Sequence, residues 1–263
     1  MCLRTLEGHN SWVNSIKLFN NNQAISCSND KTLKLWDLTT AKCLKTFLGH
    51  FGEVWNVEIL SDDRIASCSS DKTIRIWDIE SGECIKVLHG HNDTIANIKY
   101  LTDDKLISCS GDKTLKLWNI NTYQCIRTFV GHEDRINCLD ILSDERIITG
   151  SLDKTIKIWN INTGQCIKTL NEHSSVFCVK ALSEDSFISG SYDSSIRIWC
   201  LKTNCCKMTL KGHSKIVTNI QLIANNTFVS SSADNKLKFW DLASGKCIRT
   251  IQDDSCITSI QTF

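Results

Sequence analysis

A Gly-His pair or its remnant recurs at intervals of 41 or 40 residues, with histidines at His9, His50, His91, His132, His173 and His213. Each is followed by a tryptophan, at Trp36, Trp77, Trp118, Trp159, Trp199 and Trp240, 27 residues on in five copies and 26 in the fifth. Chance does not hold six copies to one residue, so every copy answers the same geometric demand and the chain reads as an array of a single unit. No Pro-rich, Gly/Ser-rich or low-complexity stretch interrupts the array, and a single domain spanning residues 1–263 is expected.

The copy from Gly90 to His132 defines the unit. Ile95 to Tyr100 alternates apolar and polar residues, Lys105 to Cys109 is rich in β-formers, Thr114 to Trp118 alternates again, and Cys125 to Phe129 supplies a fourth run. Connections such as Thr102-Asp103-Asp104 and Gly111-Asp112-Lys113 are short enough to permit only antiparallel hairpins. Each copy is therefore expected to be a four-stranded antiparallel sheet, and the fold class is all-β. One such sheet has two largely apolar faces and cannot bury them alone, so the copies must stack on one another, with a ring as the closed solution.

Composition narrows the setting. Of 15 cysteines, seven (Cys2, Cys43, Cys84, Cys125, Cys166, Cys206 and Cys247) keep the repeat interval, and Cys27, Cys68 and Cys109 share a column with Gly150, Gly190 and Ser231. The second column selects a small side chain, not a thiol. Neither column has Cys-x-x-Cys spacing, so no zinc site and no disulfide is expected. Thirty Lys and Arg stand against 29 Asp and Glu without runs of one sign, which leaves nothing to attract nucleic acid or an anionic membrane surface. No apolar run approaches the roughly 18 residues of a membrane span, and Met1-Cys2-Leu3-Arg4 begins neither a signal peptide nor a myristoylation site. A cytoplasmic or nuclear location is expected.

The order Gly-His, then Ser-x-x-x-Asp, then Trp-Asp or Trp-Asn resembles the WD40 repeat of β-propellers, and the resemblance covers the whole chain. It implies a buried hydrogen-bonded tetrad in each copy: His9, Ser26, Asp30 and Trp36; His50, Ser67, Asp71 and Trp77; His91, Ser108, Asp112 and Trp118; His132, Thr149, Asp153 and Trp159; His173, Ser189, Asp193 and Trp199; His213, Ser230, Asp234 and Trp240. The residue types suit that role, because a buried indole N–H needs an acceptor, a hydroxyl both donates and accepts, and an imidazole can bridge to a carboxylate. Ser, His and Asp also compose a hydrolase triad, but a triad is needed once and at a cleft, whereas this set occurs six times inside a packed sheet. Neither catalysis nor a cofactor is expected.

Two further columns accompany the tetrads. Lys34, Arg75, Lys116, Lys157, Arg197 and Lys238 stand two before each Trp, either as a phosphate-holding ring or, in the ordinary manner of long cations, lying over the neighbouring blade with their heads in water. Lys31, Lys72, Lys113 and Lys154 follow the tetrad Asp at a place where tight turns usually put glycine.

At the ends, Cys2 to Leu6 matches a fourth strand and Ile257 to Phe263 a first strand. The expected architecture is six complete four-stranded blades plus the first and fourth strands of an incomplete seventh, and the chain is read as a fragment at that blade.

In propellers of this kind partners most often bind the face carrying the start of the first strand and the turn before the tetrad Asp. Mapped onto this chain, the resemblance singles out Trp12, Asn14, Asn29, Glu53, Trp55, Arg135, Leu152 and Tyr192. Trp12 and Trp55 lie outside the repeat's Trp column, in adjacent copies, and tryptophan is a favoured binding hot spot. Phosphopeptide receptors gather several arginines on one anion, and here Arg135 stands alone. The expected function is non-catalytic: a scaffold that binds other proteins through short peptide segments or loops. The substrate-recognition propeller of a ubiquitin ligase is the alternative.

Overall fold

The structure, a computed structural model, describes residues 5–61, 63–101, 104–143, 145–171, 174–223, 226–254 and 257–261. Among these residues 24 strands form six four-stranded antiparallel sheets, each made of four consecutive strands in chain order. In the first sheet β1 (Val13–Asn20) pairs with β2 (Gln23–Ser28), β2 with β3 (Leu33–Asp37), and β3 with β4 (Lys42–Phe47). The other sheets repeat this order over residues 54–88, 95–130, 136–171, 176–210 and 217–252.

The core lies between sheets. Ile25, Leu33 and Phe47 of the first blade join Val54, Ile65 and Trp77 of the second in one buried cluster, and four similar clusters bind each later blade to its successor. Every one of the five contains the repeat tryptophan of the later blade. A blade removed from its predecessor would thus expose its largest side chain, and so stability belongs to the stack. The Gly of the Gly-His pair serves the same tryptophan: Gly90 has φ +153°, and a Cβ there would meet Trp118 Cη2 at 3.0 Å.

The small-residue column answers to volume. It pairs with the innermost strand as Ser15 with Cys27, Asn56 with Cys68, Asn97 with Cys109, Cys138 with Gly150, Cys178 with Gly190 and Asn219 with Ser231. Where the inner residue is cysteine the second strand has glycine, and a Cβ on Gly150 would fall 2.4 Å from Val176 Cγ1 and 2.8 Å from Cys138 Sγ. Every cysteine among the described residues is a free thiol.

Residues 257–261 run without strand pairing, although their sequence alternates; Phe263 and residues 1–4 lie outside the described residues. A single segment has no hairpin partner of its own, and threonine side chains tie it to the ring instead. Thr218 Oγ1 donates to Ile257 O at 2.8 Å, and Thr258 Oγ1 donates to Val13 O, so the segment joins the sixth blade to the first.

The lysines after the tetrad Asp are in the left-handed region: φ is 70° at Lys31, 68° at Lys72, 69° at Lys113 and 66° at Lys154. The preceding aspartate holds each turn. Asp71 Oδ1 accepts the Thr73 N–H at 2.9 Å and its hydroxyl at 2.6 Å, while the Asp71 N–H donates to Ser69 Oγ at 3.0 Å. Relief of a left-handed side chain is worth about 1–2 kcal/mol and the freedom of glycine in the unfolded chain costs about 0.5–1 kcal/mol. Lys72→Gly is accordingly expected to stabilise the fold by roughly 0.5–1 kcal/mol, read as a higher denaturation midpoint in urea with an unchanged slope.

Candidate partner-binding site

The innermost strands of the six blades, Val13–Asn20, Val54–Ile59, Ile95–Tyr100, Ile136–Ser143, Val176–Ser183 and Val217–Ile223, together with residues 258–261, line one cavity of about 790 Å³. It is the central channel. Trp12, Asn14, Asn29, Trp55, Arg135 and Leu152 all line it. Glu53 and Tyr192 are not in its wall: Glu53 accepts the Ser70 N–H through its backbone carbonyl at 2.9 Å, and Tyr192 is exposed beside the mouth.

Within this group Trp12 is 69% exposed, whereas Trp55 is partly buried under the Arg135 guanidinium, 6.0 Å from its ring centre. Asn14 Nδ2 donates to Asn29 Oδ1 at 2.6 Å and to Val54 O at 2.8 Å, tying the first blade to the second. Four buried polar atoms nearby have no hydrogen-bond partner among the described residues: Trp55 Nε1, Asn56 Oδ1, Asn97 Oδ1 and Arg135 Nε. Two donors and two acceptors without partners on the wall of a cavity cost stability unless water or a ligand meets them.

Phe177 belongs to this wall as well and packs against Tyr192 with ring centres 6.2 Å apart. Counting five residues on from each histidine leads in the fifth copy to Cys178, and three residues on to the buried Val176. The register shows why that count slips. Val176 pairs with Ser191 as Val217 pairs with Ser232, so the residue missing from the fifth copy is lost before the first strand and Phe177 is the true counterpart of Asn14 and Trp55. The 26-residue spacing of that copy was the available signal.

Deeper in the channel a charged ring stands at one register position of successive inner strands: Lys17, Glu58, Lys99, Asp140 and Lys180. Lys17 Nζ lies 2.8 Å and Lys99 Nζ 3.3 Å from Glu58 Oε1, while Asp140 meets Lys99 at 3.9 Å and Lys180 at 3.4 Å. The Glu58 carboxylate raises the Lys99 ammonium above its usual value, and burial lowers that of Lys17. Alternating sign lets each buried charge offset its neighbours' desolvation.

Away from the channel, the tetrad groups form a relay. In the third blade Trp118 Nε1 donates to Ser108 Oγ at 2.9 Å, Ser108 Oγ lies 2.7 Å from His91 Nε2, and His91 Nδ1 lies 2.8 Å from Asp112 Oδ2. The first, second, fourth and sixth blades have the same contacts through His9, His50, His132 and His213. In the fifth, Trp199 Nε1 donates to Ser189 Oγ at 2.9 Å; His173 lies outside the described residues, and Asp193 accepts from Arg197 at 3.1 Å. With a neutral imidazole protonated on Nδ1, every donor has an acceptor: indole to hydroxyl, hydroxyl to Nε2, Nδ1–H to carboxylate.

The cation column does not lie over the neighbouring blade. Lys34, Lys116, Lys157 and Lys238 donate to Thr46, Thr128, Thr169 and Thr250 at 2.8–3.0 Å, each on the outer strand of its own sheet. A hydroxyl directly across the strand pair lies closer than the next blade.

A family model for the WD domain, G-beta repeat, matches residues 1–37, 41–78, 82–119, 123–160, 164–200 and 204–241. The chain belongs to the WD40 family. Over 39 residues it is 51% identical to the nuclear distribution protein PAC1 of Candida glabrata, which is 15% of this chain and 8% of that protein. The likeness is about one WD40 repeat long, and the chain spans a small fraction of that relative's length.

The WD40 relay carries two predictions. Ser108→Ala strands Trp118 Nε1 and His91 Nε2 in a buried site, at about 1–3 kcal/mol for each group, and is expected to cost about 2–6 kcal/mol in equilibrium denaturation. The second concerns pH. Burial pushes His9, His50 and His213 below their ordinary 6.5. Burial alone would raise Asp30, but hydrogen bonds from Thr32, Asn10 and His9 outweigh it and bring the group to about 2, and Asp71, Asp112 and Asp153 are likewise held well below the usual 3.8. As pH falls through 6.5 the unfolded chain takes up protons that the folded histidines resist, and below 3.8 the same holds for the aspartates, so acid destabilises in both windows. The melting temperature is expected to decline from about pH 6.5 and more steeply below about pH 4; a flat profile down to about pH 5 would contradict neutral histidines in the relay.

Proposed function

We propose that this WD40 propeller is a non-catalytic platform that binds a peptide segment or loop of another protein across the channel mouth bearing Trp12 and Trp55. One observation carries the reading: a cavity of about 790 Å³ whose wall combines an exposed tryptophan with buried polar atoms that have no partner among the described residues. A peptide offers both halves of what is missing, since its N–H groups suit Asn56 and Asn97 and its carbonyls suit Trp55 Nε1 and Arg135 Nε. Trp12 and Tyr192 supply apolar contact at the rim. Arg135 is engaged with Trp55, which does not favour a phosphopeptide; an unmodified segment fits the group better.

A non-catalytic role agrees with the relay, where in five blades the buried hydroxyl is occupied by an indole N–H and an imidazole. Residues 257–261 support the seventh-blade reading: Thr258 donates to Val13 O as Asn14 donates to Val54 O, so the segment takes the inner place of an incomplete blade. No helix among the described residues is long and apolar enough to cross a membrane, and cytoplasm or nucleus remains the proposed setting.

The test is a pull-down from cells with the parent chain and a Trp12→Ala/Trp55→Ala chain as baits. The double variant is expected to lose the principal partners while keeping the parent's circular dichroism and melting curve. An identical partner set for a folded double variant would refute the site.

A further inference from the structure

We propose that the channel holds a carboxylate between Lys180 and Lys17 and, resting on the peptide-binding reading above, that the partner segment supplies it. The observation is a break in an alternating pattern. One register position of the inner strands pairs with the second strand as Lys17 with Ile25, Glu58 with Ala66, Lys99 with Ile107, Asp140 with Ile148, Lys180 with Ile188 and Gln221 with Val229. The closing segment adds a seventh member. Asn14, Asn137 and Thr218 each donate to a carbonyl at the start of the next inner strand or segment, Val54, Val176 and Ile257, at 2.8–2.9 Å. Thr258 donates in the same way to Val13 O. Thr258 therefore stands where Asn14 stands, and Gln261 where Lys17 stands. Around the ring the signs run plus, minus, plus, minus, plus, and then come two neutral glutamines.

Each carboxylate of the ring is shared by two ammonium groups. Glu58 Oε1 lies 2.8 Å from Lys17 Nζ and 3.3 Å from Lys99 Nζ, and Asp140 lies 3.9 Å from Lys99 Nζ and 3.4 Å from Lys180 Nζ. Lys99 thus has a carboxylate on both sides, whereas Lys17 and Lys180 have one each and stand at the two ends of the glutamine arc. One positive charge of the ring is unmatched, and Arg135 adds another in the cavity wall. The whole chain carries a net charge of only +1, so the channel is where positive potential collects, and its low-dielectric walls concentrate it. The imbalance is felt inside the ring. Burial lowers the Lys17 ammonium and the charges of Lys99 and Lys180 lower it further against the pull of Glu58, while Lys99, flanked by Glu58 and Asp140, is raised.

The size of the surplus selects the ligand. One unmatched charge in the ring is met by a monoanion, whereas a phosphate group brings about two negative charges and three acceptor oxygens. A carboxylate offers one oxygen to each flanking ammonium, and the amides of Gln221 and Gln261 are donors of the right kind beside it. The ring is also within reach of the mouth. Asn56 and Asn97, whose side-chain oxygens suit the N–H groups of an entering segment, precede Glu58 and Lys99 by two residues, a rise of about 7 Å along the strand. A glutamate side chain and a lysine stem together exceed that distance.

Acetate and three short peptides serve as probes in saturation-transfer NMR. Acetyl-Gly-Glu-Gly-amide carries a side-chain carboxylate, acetyl-Gly-Gly-Gly a terminal one, and acetyl-Gly-Gln-Gly-amide none. A Gln221→Glu chain puts a negative charge into the arc and Lys180→Gln removes one of its ends; each is used once its circular dichroism matches the parent's. Transfer to acetate is expected in the parent and in Lys180→Arg, and its loss in Gln221→Glu and Lys180→Gln. Among the peptides, a carboxylate form should show transfer in the parent and the glutamine form none, and whichever carboxylate shows the stronger transfer names the source. No transfer to acetate in the parent, or equal transfer in the parent and the folded variants, would overturn the carboxylate site while leaving the platform reading to the pull-down. Transfer to acetate with no preference for the charged peptides over the glutamine peptide would overturn the claim that the partner segment supplies the group.

Discussion

The hydrogen-bond relay from tryptophan through hydroxyl and imidazole to carboxylate holds together parts of a blade that the backbone ladder leaves independent. Tryptophan stands on the third strand, the hydroxyl on the second, the histidine on the segment arriving from the preceding blade, and the aspartate in the turn between second and third strands. In the third blade these are Trp118, Ser108, His91 and Asp112. Because that tryptophan also fills the gap to the earlier blade, the relay sets the distance between sheets as well as the geometry within one. The same aspartate caps its own turn, where lysine sits at positive φ in four copies. One carboxylate therefore closes the turn and anchors the relay, and its depressed proton affinity follows from the number of donors it receives.

This is why so much of the fold was legible in the sequence. A relay of four polar groups in a dry environment tolerates few substitutions, and its spacing is set by strand length, so His-to-Trp distances repeat to within one residue. Hairpin connections of two to five residues leave no freedom over strand order. The closing segment was the least legible part. Residues 257–261 alternate as a strand should, but alternation reports only that one face is covered, and here the cover comes from the sixth and first blades through threonine side chains, with no ladder.

The channel was harder to read than the blades for a related reason. Residues on the inner strands face a shared space, so no constraint repeats around the ring and each position is free to differ. Trp12, Asn14, Trp55 and Arg135 were recoverable because each stands three or five residues past its histidine. Phe177 was missed because the five-residue offset shrinks to four in the fifth copy. The ring of Lys17, Glu58, Lys99, Asp140 and Lys180 left a fainter trace, since a polar residue at that register position in any one strand looks like an ordinary solvent-facing residue. Only closure into a ring makes these five side chains neighbours.

Departures from a repeat can thus be sorted by what the lost residue was doing. At the small-residue column, cysteine gives way to glycine where cysteine moves to the facing strand, so the change is volume compensation and carries no functional message. At the turn after the tryptophan, Cys200 stands where the other blades have an aspartate or asparagine, and there the side chain is buried. A buried free cysteine packs as a small apolar group, so this departure too is answered by packing and carries no functional message.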